Sequence, residues 1–539
     1  MSKRKATPST RNHQATKQSA TTSTTQSRHC ATGRTANTHD GTTLVTHSIG
    51  ALPILQRLLR RMRLNDFLQQ HLPPEDARTK VATPRVLLLL LNNLLDISLD
   101  ELHNDSTTVS FCGEYPEAES EKIVAGQMTP AITWGHSKDH RPDLKQLLYI
   151  LTVTNDGGVP IYFQAASGNV VDDQTHLATW KLMAQLTGRK DFVYVADCKL
   201  ATTEQMRDIA SRGGRFITVL PATRKENATF RATLVEQPDA VAWRELYQVV
   251  DEEGNLENVL RVCTDEHLTK EGFRLLWFHS RSKQTSDAAT RATRLQRAIR
   301  DLTALRERLV SPRTRFRLRE KVAEAVEALL DEHSVRELLR VEIGELVEES
   351  FRQASRGRPS KKTKYVRAVQ TRFRISWEVD GERLAREAAG DGVFPLLTNL
   401  AEWTARDVLD AYKRQPIIEK RFSQLKTDFR VAPVYLQNVE RIVGLLAVYF
   451  FALMVQSLLE RELRRAMSES HLDELPLYPE GRPCSRPTTR RVLDYFAPLS
   501  SHTLTTSPPS LPTTIMTELT PLHRRILQLL GIPTTAYDQ

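Results

Sequence analysis

Three acidic residues, Asp105, Asp197 and Glu419, stand in contexts suited to phosphodiester chemistry. Asp105 lies in LHNDSTTVSF (Leu102–Phe111), an extended and β-branched run. Asp197 closes the apolar run DFVYVAD (Asp191–Asp197). Glu419 sits in PIIEKRFSQLKTDF (Pro416–Phe429), which has helical spacing. Two carboxylates on neighbouring strand ends and a third on a later helix can hold two divalent metals. Such a pair activates water or a 3′-hydroxyl and stabilises the leaving oxygen of a phosphodiester displacement.

The elements that must position these acids can be read from periodicity. Leu144–Asp156 and Val159–Ser167 are strand-like runs separated by Gly157-Gly158, the mark of a hairpin. A helix is expected over Asp172–Leu186, then the strand ending at Asp197, a helix over Thr203–Arg212 and a strand over Arg215–Pro221. This order predicts an α/β fold with a mixed sheet flanked by helices. Val393–Asn399 reads as a further strand, and Thr404 as the N-cap of a helix running to Tyr412. Pro416 must kink that helix or start a new one. Ile418, Phe422, Leu425 and Phe429 are spaced four, three and four apart, a buried stripe. Glu419 and Lys426 then lie two turns apart on an adjacent face.

The remaining chain divides by composition. Residues 1–45 are rich in Ser, Thr, Lys and Arg and read as a disordered basic arm. Residues 46–100 read as a small helical region, with Leu55, Leu58, Leu59 and Met62 on one face and a second helix after Pro84. Residues 101–221 and 392–465 hold the two halves of the sheet domain. Between them, 222–391 reads as an α+β insertion. It has strands near Trp243–Val250, Leu260–Cys263, Arg274–His279 and Arg372–Asp380, helices over Thr290–Leu309 and Val322–Gln353, and a basic loop over Ser355–Lys364. Residues 466–539 read as a Pro, Ser and Thr-rich tail with one amphipathic segment near Leu522–Leu530.

Composition adds outer bounds. The 539-residue chain carries 75 Lys+Arg against 65 Asp+Glu, with a pI near 9.3, which suits a polyanionic partner. Its five cysteines are scattered without a CxxC pair, so neither a zinc site nor a disulfide framework is indicated. The runs Val86–Leu91 and Ile442–Val455 are too short to span a membrane and read as buried helices, and no apolar signal core is evident near the start. A cytoplasmic protein is expected. No Ser–His–Asp order or phosphate-cradling glycine loop argues for acyl transfer or nucleotide hydrolysis.

Five segments together resemble the DDE transposases of bacterial insertion sequences, in the IS-four superfamily. They are LHNDSTTVSFCGEY (Leu102–Tyr115), GHSKDHRPDLKQ (Gly135–Gln146), VYVADCKLAT (Val193–Thr202), DGVFPLLTN (Asp391–Asn399) and YKRQPIIEKRFSQLK (Tyr412–Lys426). The resemblance covers about Ser48 to Arg491. It implies an RNase H-like sheet interrupted by the insertion, with Asp105, Asp197 and Glu419 binding two Mg²⁺, for which Mn²⁺ can substitute. The gaps are 197 − 105 = 92 and 419 − 197 = 222 residues, and the second leaves room for the insertion. It also implies double-stranded DNA as partner, at terminal inverted repeats and target, and a homodimer at synapsis with the Ile442–Val455 helix as a candidate contact.

The same resemblance assigns DNA contacts. The family's last motif falls on Tyr412, Gln415, Glu419 and Lys426, with Gln415 where an Arg is usual. Either Gln415 acts with Arg414 or Arg421, or the grip on phosphate is weaker. Tyr412 and Lys426 either contact DNA near the scissile phosphate or serve as packing and a solvated charge. His136, Ser137, Lys138, Asp139 and Arg141 either bind phosphate or order the hairpin. Arg356-Gly357-Arg358-Pro359 is similar to an AT-hook core, or else contacts phosphate generally. Trp277 and Trp377 either stack on a flipped base or belong to the core. Family members have a longer helical region before the first Asp. Leu87–Leu95 runs almost directly into Asp96–Asp105, which resembles an internal deletion and raises the alternative of an inactive DNA-binding remnant. A stand-alone RNase H-like nuclease is a third reading.

Overall fold

The computed structural model describes residues 34–39, 42–64, 66, 96–124, 127–171, 173–251, 253–311, 313–506 and 512–537. The helix expected after Pro84, the junction at Leu87–Leu95 and residues 1–33 of the expected arm lie outside the described residues. Two compact units are formed. The larger comprises Leu55–Asp473 and Arg486–Thr489. The smaller draws its described residues from Met1–Ile54, Glu474–Ser485 and Arg490–Gln539. The first described elements are strands, β1 (Arg34–His39) and β2 (Thr42–Ser48), paired antiparallel. They correct the expectation of a disordered arm over those residues. The helix Leu52–Arg61 follows, with Leu58 buried but Leu59 exposed.

The larger unit is built on one sheet. β3 (Glu101–Phe111) is followed by a small side hairpin, β4 (Lys122–Val124) and β5 (Gln127–Thr129). Next come β6 (Lys145–Thr154), antiparallel to β3, and β7 (Pro160–Ser167), antiparallel to β6. β8 (Val193–Ala196) and β9 (Arg215–Val219) add parallel on the other side of β3. Parallel strands require crossovers, supplied here by the helices Asp173–Thr187 and Thr203–Ser211. The order β7-β6-β3-β8-β9 is the arrangement expected of an RNase H-like core.

The insertion does not leave this sheet. Its strands β10 (Trp243–Val250), β11 (Leu256–Cys263), β12 (His267–Leu268) and β13 (Arg274–Ser280) continue it. β16 (Val393–Thr398) joins them to β9, so the strand order reads on as β9-β16-β13-β11-β10. Only the middle of the insertion stands apart. There the helices Arg281–Val310 and Arg319–Glu332 pack beneath a two-stranded ribbon, β14 (Leu339–Gln353) and β15 (Tyr365–Val379). The helix expected over Val322–Gln353 is therefore half strand. Helical charge spacing extends only through Glu332, whereas Leu339, Val341 and Ile343 repeat at period two, as one face of a strand requires. Trp277 is buried and stacks on Phe230 at 3.9 Å, and Trp377 packs under the ribbon against the Arg306 guanidinium. Trp277 is thus a core residue, whereas Trp377 is half-buried.

Helices cover both faces. Along β8, Tyr194 and Ala196 face one cluster and Val193 and Val195 the other. The first cluster takes the helices Asp173–Thr187, Pro416–Ser423 and Val439–Glu469, through Trp180, Ile418, Leu446 and Phe450. The second takes the helix Ala405–Lys413 through Val408, Leu409 and Ala411, and Thr404 caps that helix in a box with Asp407. Val439–Glu469 is long and apolar enough to cross a membrane. It is instead a core helix, with Phe450 against Phe163 of β7 and buried Glu460 and Arg461 on the same shaft. Its apolar run faces inward at Ile442, Leu446, Phe450 and Leu453, while Val448 on the other side is exposed.

β17 (Ser500–Thr505) and β18 (Thr513–Met516) complete the smaller unit, whose sheet order is β1-β2-β17-β18. The region read as a tail is thus folded. Its pairing with β2 joins residues more than four hundred positions apart, beyond the reach of local pattern. The helix Pro521–Leu529 is capped by Thr520 and His523, and the His523 ring packs against Phe496.

The turn between β6 and β7 packs closely against the helix that bears Glu419. Gly157 and Gly158 both have positive φ, 80° and 62°. A Cβ on Gly158 would lie 2.9 Å from the Ile417 side chain. Gly158→Ala is expected to lower stability by about 1–2 kcal/mol, from backbone strain plus displacement of Ile417. Thermal unfolding measures it, and an unchanged midpoint would contradict this account of the turn.

Candidate active site

β3 carries Glu101, His103 and Asp105 on one face, because alternate residues of a strand point the same way. Asp105 sits in mid-strand, opposite Leu151 of β6. On its other side β3 pairs with β8 up to Asn104 and Ala196, so Asp105 and Asp197 are the next residues in that register. The sequence predicted two strand ends. The structure has one strand ending beside the middle of another, and the effect is the same: both acids stand where the β8 ladder stops.

Their electrostatics record the approach. Burial raises the Asp105 pKa above its ordinary value, and the charge of Asp197 adds to the rise, against the opposing pull of Lys138 and a hydrogen bond from the Ser106 amide. Burial also acts to raise Asp197, but His176, the Lys199 amide and Lys138 together outweigh it and hold this carboxyl below its ordinary range. The buried His176 ring meets Asp197 Oδ1 at 3.3 Å through Nε2 and the Tyr194 hydroxyl at 3.4 Å through Nδ1. The Lys199 amide donates to the same carboxyl oxygen at 3.0 Å. His176 had no local sign, lying 21 residues before Asp197 in a helix of mixed character.

Glu419 is on a helix begun afresh at Pro416, since the preceding helix ends at Lys413. Gln415, the N-cap, is buried and bonds back to β3. Its Oε1 meets His103 Nδ1 at 2.9 Å, and its Nε2 donates to the Asn104 carbonyl at 3.5 Å. Arg414 forms a two-pronged pair with Glu101 at 2.6 and 2.5 Å, and His103 Nε2 meets the same Glu101 at 2.8 Å. Farther along, a π-helical turn (Gln424–Asp428) carries Lys426, which pairs with Asp139 at 2.5 Å, and Asp139 accepts from Thr108 of β3. The segment therefore advances along β3 from Glu101 toward Thr108, and Glu419 falls between these fixed points, as does Asp105. The Tyr412 hydroxyl is pushed up to about 12 by burial and by the charges of Asp197, Cys198 and Glu419. It senses the second and third acids together. Glu419 itself is exposed, and its carboxylate has no hydrogen-bond or ion-pair partner among the described residues.

Asp105 and Asp197, two partly desolvated carboxylates near enough for one charge to act on the other, fit a divalent cation better than they fit isolation. The raised Asp105 is the observation that carries the fit.

Several expected DNA contacts are otherwise engaged. Gln415 is a buried strut, and Arg421 is buried at 1% exposure, so neither reaches solvent. Arg421 donates to the Gly157 and Gly158 carbonyls at 2.6 and 2.9 Å and pairs with Glu460 at 3.1 Å. Arg414 is committed to Glu101. Lys138 donates to the Ser106 carbonyl at 2.7 Å and lies 3.3 Å from Asp105, so its loop orders the site. Of the alternatives weighed for these residues, burial turns Gln415 and Arg421 inward, because a buried polar or charged group must keep a partner, while Arg414 and Lys138 are half-buried and paired within the protein. Arg141 forms an exposed pair with Asp143. Arg356 and Arg358 are exposed in the turn between β14 and β15 and have no side-chain partner among the described residues.

The family model described as "Transposase DDE domain" matches residues 100–455. That span contains all three acids and both halves of the sheet. No curated protein matches the chain.

Two outcomes test the architecture around the acids. Arg421→Ala leaves Glu460 short of its buried partner and is expected to cost on the order of 3 kcal/mol in denaturant unfolding. A loss of DNA affinity at unchanged stability would restore Arg421 to the DNA face. Glu101 gives a pH signature. Burial would raise it, but hydrogen bonds from His103 and Arg414 prevail and its pKa is lowered. A lowered carboxyl pKa contributes stability above its unfolded value, near 4.3, that is lost as pH falls through the folded value. Wild-type protein should therefore lose stability more steeply than Glu101→Gln as pH falls from about 5 toward 3. Parallel acid-unfolding profiles would contradict the latch.

Proposed function

The chain belongs to the transposase DDE domain family, and on that premise we propose that Asp105, Asp197 and Glu419 are its metal-holding acids in cutting and joining DNA. The reading places the reaction at the terminal inverted repeats of the protein's own element, with strand transfer of the freed 3′-hydroxyl into target DNA. It extends to the IS-four superfamily in particular, to a cytoplasmic protein acting on nucleoid DNA, and to a homodimer at synapsis. The coupling of Asp105 to Asp197, and of Tyr412 to Asp197 and Glu419, is the observation that supports it.

Two divalent cations, Mg²⁺ or in its place Mn²⁺, held by these acids would lower the pKa of a water or 3′-hydroxyl and stabilise the leaving oxygen. The chain's own residues prepare the ground. His176 and the Lys199 amide fix the orientation of Asp197. Lys138 offsets the Asp105 charge. The Gln415 and Arg414 contacts orient the helix that bears Glu419. Tyr412 stays protonated at neutral pH and can donate to a phosphate oxygen. Lys426, Arg141, Arg356 and Arg358 are the remaining cations proposed to meet the DNA backbone.

The test is strand cleavage of a duplex bearing the element's end, with Mg²⁺ or Mn²⁺. Asp105→Asn, Asp197→Asn and Glu419→Gln should each reduce cutting by about a thousandfold, equivalent to ~4 kcal/mol of transition-state stabilisation, while end binding persists. Undiminished cutting by any of the three would remove that residue from the set. Equal cutting of duplexes without the end would point to a nuclease instead.

A further inference from the structure

Outside the acidic set, the structure gathers a second group of ligating side chains at the turn from β11 to β12. Cys263 ends β11, His267 opens β12, and Asp265 lies between them. Cys263 Sγ is 3.7 Å from His267 Nε2 and 4.0 Å from Asp265 Oδ2, and the three ligand atoms all lie within 4.8 Å of one another. We propose that this Cys–Asp–His turn is a binding site for a zinc-type, thiophilic divalent cation.

The spacing is the first argument. A tetrahedral zinc with Zn–S of about 2.3 Å and Zn–N of about 2.0–2.1 Å sets its sulfur and nitrogen ligands roughly 3.6 Å apart. The observed separation is close to that, and the carboxylate oxygen needs only a small rotation to match. Charge is the second. Thiolate and carboxylate together balance a dication, so the loaded site is neutral. That matters because Cys263 is buried and the His267 ring stands edge-on to Phe230, itself stacked on Trp277. Binding releases one proton, from the Cys263 thiol to solvent, while His267 offers the Nε2 lone pair and Asp265 an already ionised oxygen. Water is left for the fourth position.

Position gives the site a purpose. The β11–β12 turn sits in the stretch of sheet contributed by the insertion, where β12 is only two residues long. A cation joining the end of one strand to the start of the next would fix that turn. The inference is independent of the acidic set.

The experiment uses the full chain, stripped with chelator and loaded with Co²⁺ as a zinc substitute. A thiolate-to-cobalt charge-transfer band is expected at one equivalent, which carboxylates at the other site cannot produce. Cys263→Ser should abolish the band. Asp265→Asn, at an exposed position that leaves the fold intact, should weaken Zn²⁺ binding about tenfold or more, as loss of a ligand costs at least what loss of a supporting contact does. Zn²⁺ should raise the thermal midpoint of wild-type protein and not that of Cys263→Ser. Absence of the band in wild-type protein, or its persistence in Cys263→Ser, would overturn the proposal, as would Zn²⁺ affinity unchanged by Asp265→Asn.

Discussion

Buried charge must be matched by charge or hydrogen bonds, and this constraint holds the helix of Glu419 in place. Arg414 before it is clasped by Glu101 on β3, and Arg421 within it is sealed against Glu460 on the long helix. Gln415 adds two bonds to β3, and Arg421 two more to the β6–β7 turn. Apolar stripes alone would let a short helix slide or roll on the sheet, because dispersion is non-directional. Polar grips on both sides of Glu419 fix its azimuth and its position along β3. Burial of Arg421 opposes its charge, while Arg421, Lys420 and Arg464 together keep Glu460 ionised against burial. The cluster survives because each member would be costly alone.

The two strand acids follow a different logic. Asp105 is bracketed by ladder bonds on β3, and its neighbour Asn104 donates across to the Leu151 carbonyl and the Thr152 hydroxyl of β6. It cannot move without disturbing the centre of the sheet. Asp197 stands just past the end of β8, its carboxyl held by side-chain and amide donors. One acid is placed by sheet register, the second by a buried imidazole, the third by ion pairs at a distance. A site of this kind combines a rigid floor with a member whose carboxylate stays in solvent, ready to respond to what arrives.

Much of this was legible in the chain. The strands around Asp105 and Asp197, the Gly157-Gly158 hairpin, the Thr404 cap and the fresh start at Pro416 all follow from local signals: alternation, turn glycines, capping chemistry and the missing proline amide. What was not legible is non-local. That β10 to β13 would extend the central sheet depends on β16 lying between them and β9. That Arg421 would turn inward depends on Glu460, thirty-nine residues on. A charge-rich helix segment invites a reading of solvent or phosphate contact, and only the position of its partners reverses it. The same holds for His176, which meets Asp197 only once the sheet is formed.

The ribbon of β14 and β15 leaves the body with its two ends side by side, Leu339 opposite Val379, and pairs without a register slip up to Gln353 and Tyr365. Its base packs on the two helices through Ile343, Phe373 and Ile375, and beyond that base the ladder behaves as a projecting arm. Residues can be added to or removed from both strands together, and the scaffold beneath is spared, because nothing below the anchor depends on the arm's length. The reach of the arm is thus set apart from the strands that bear Asp105 and Asp197.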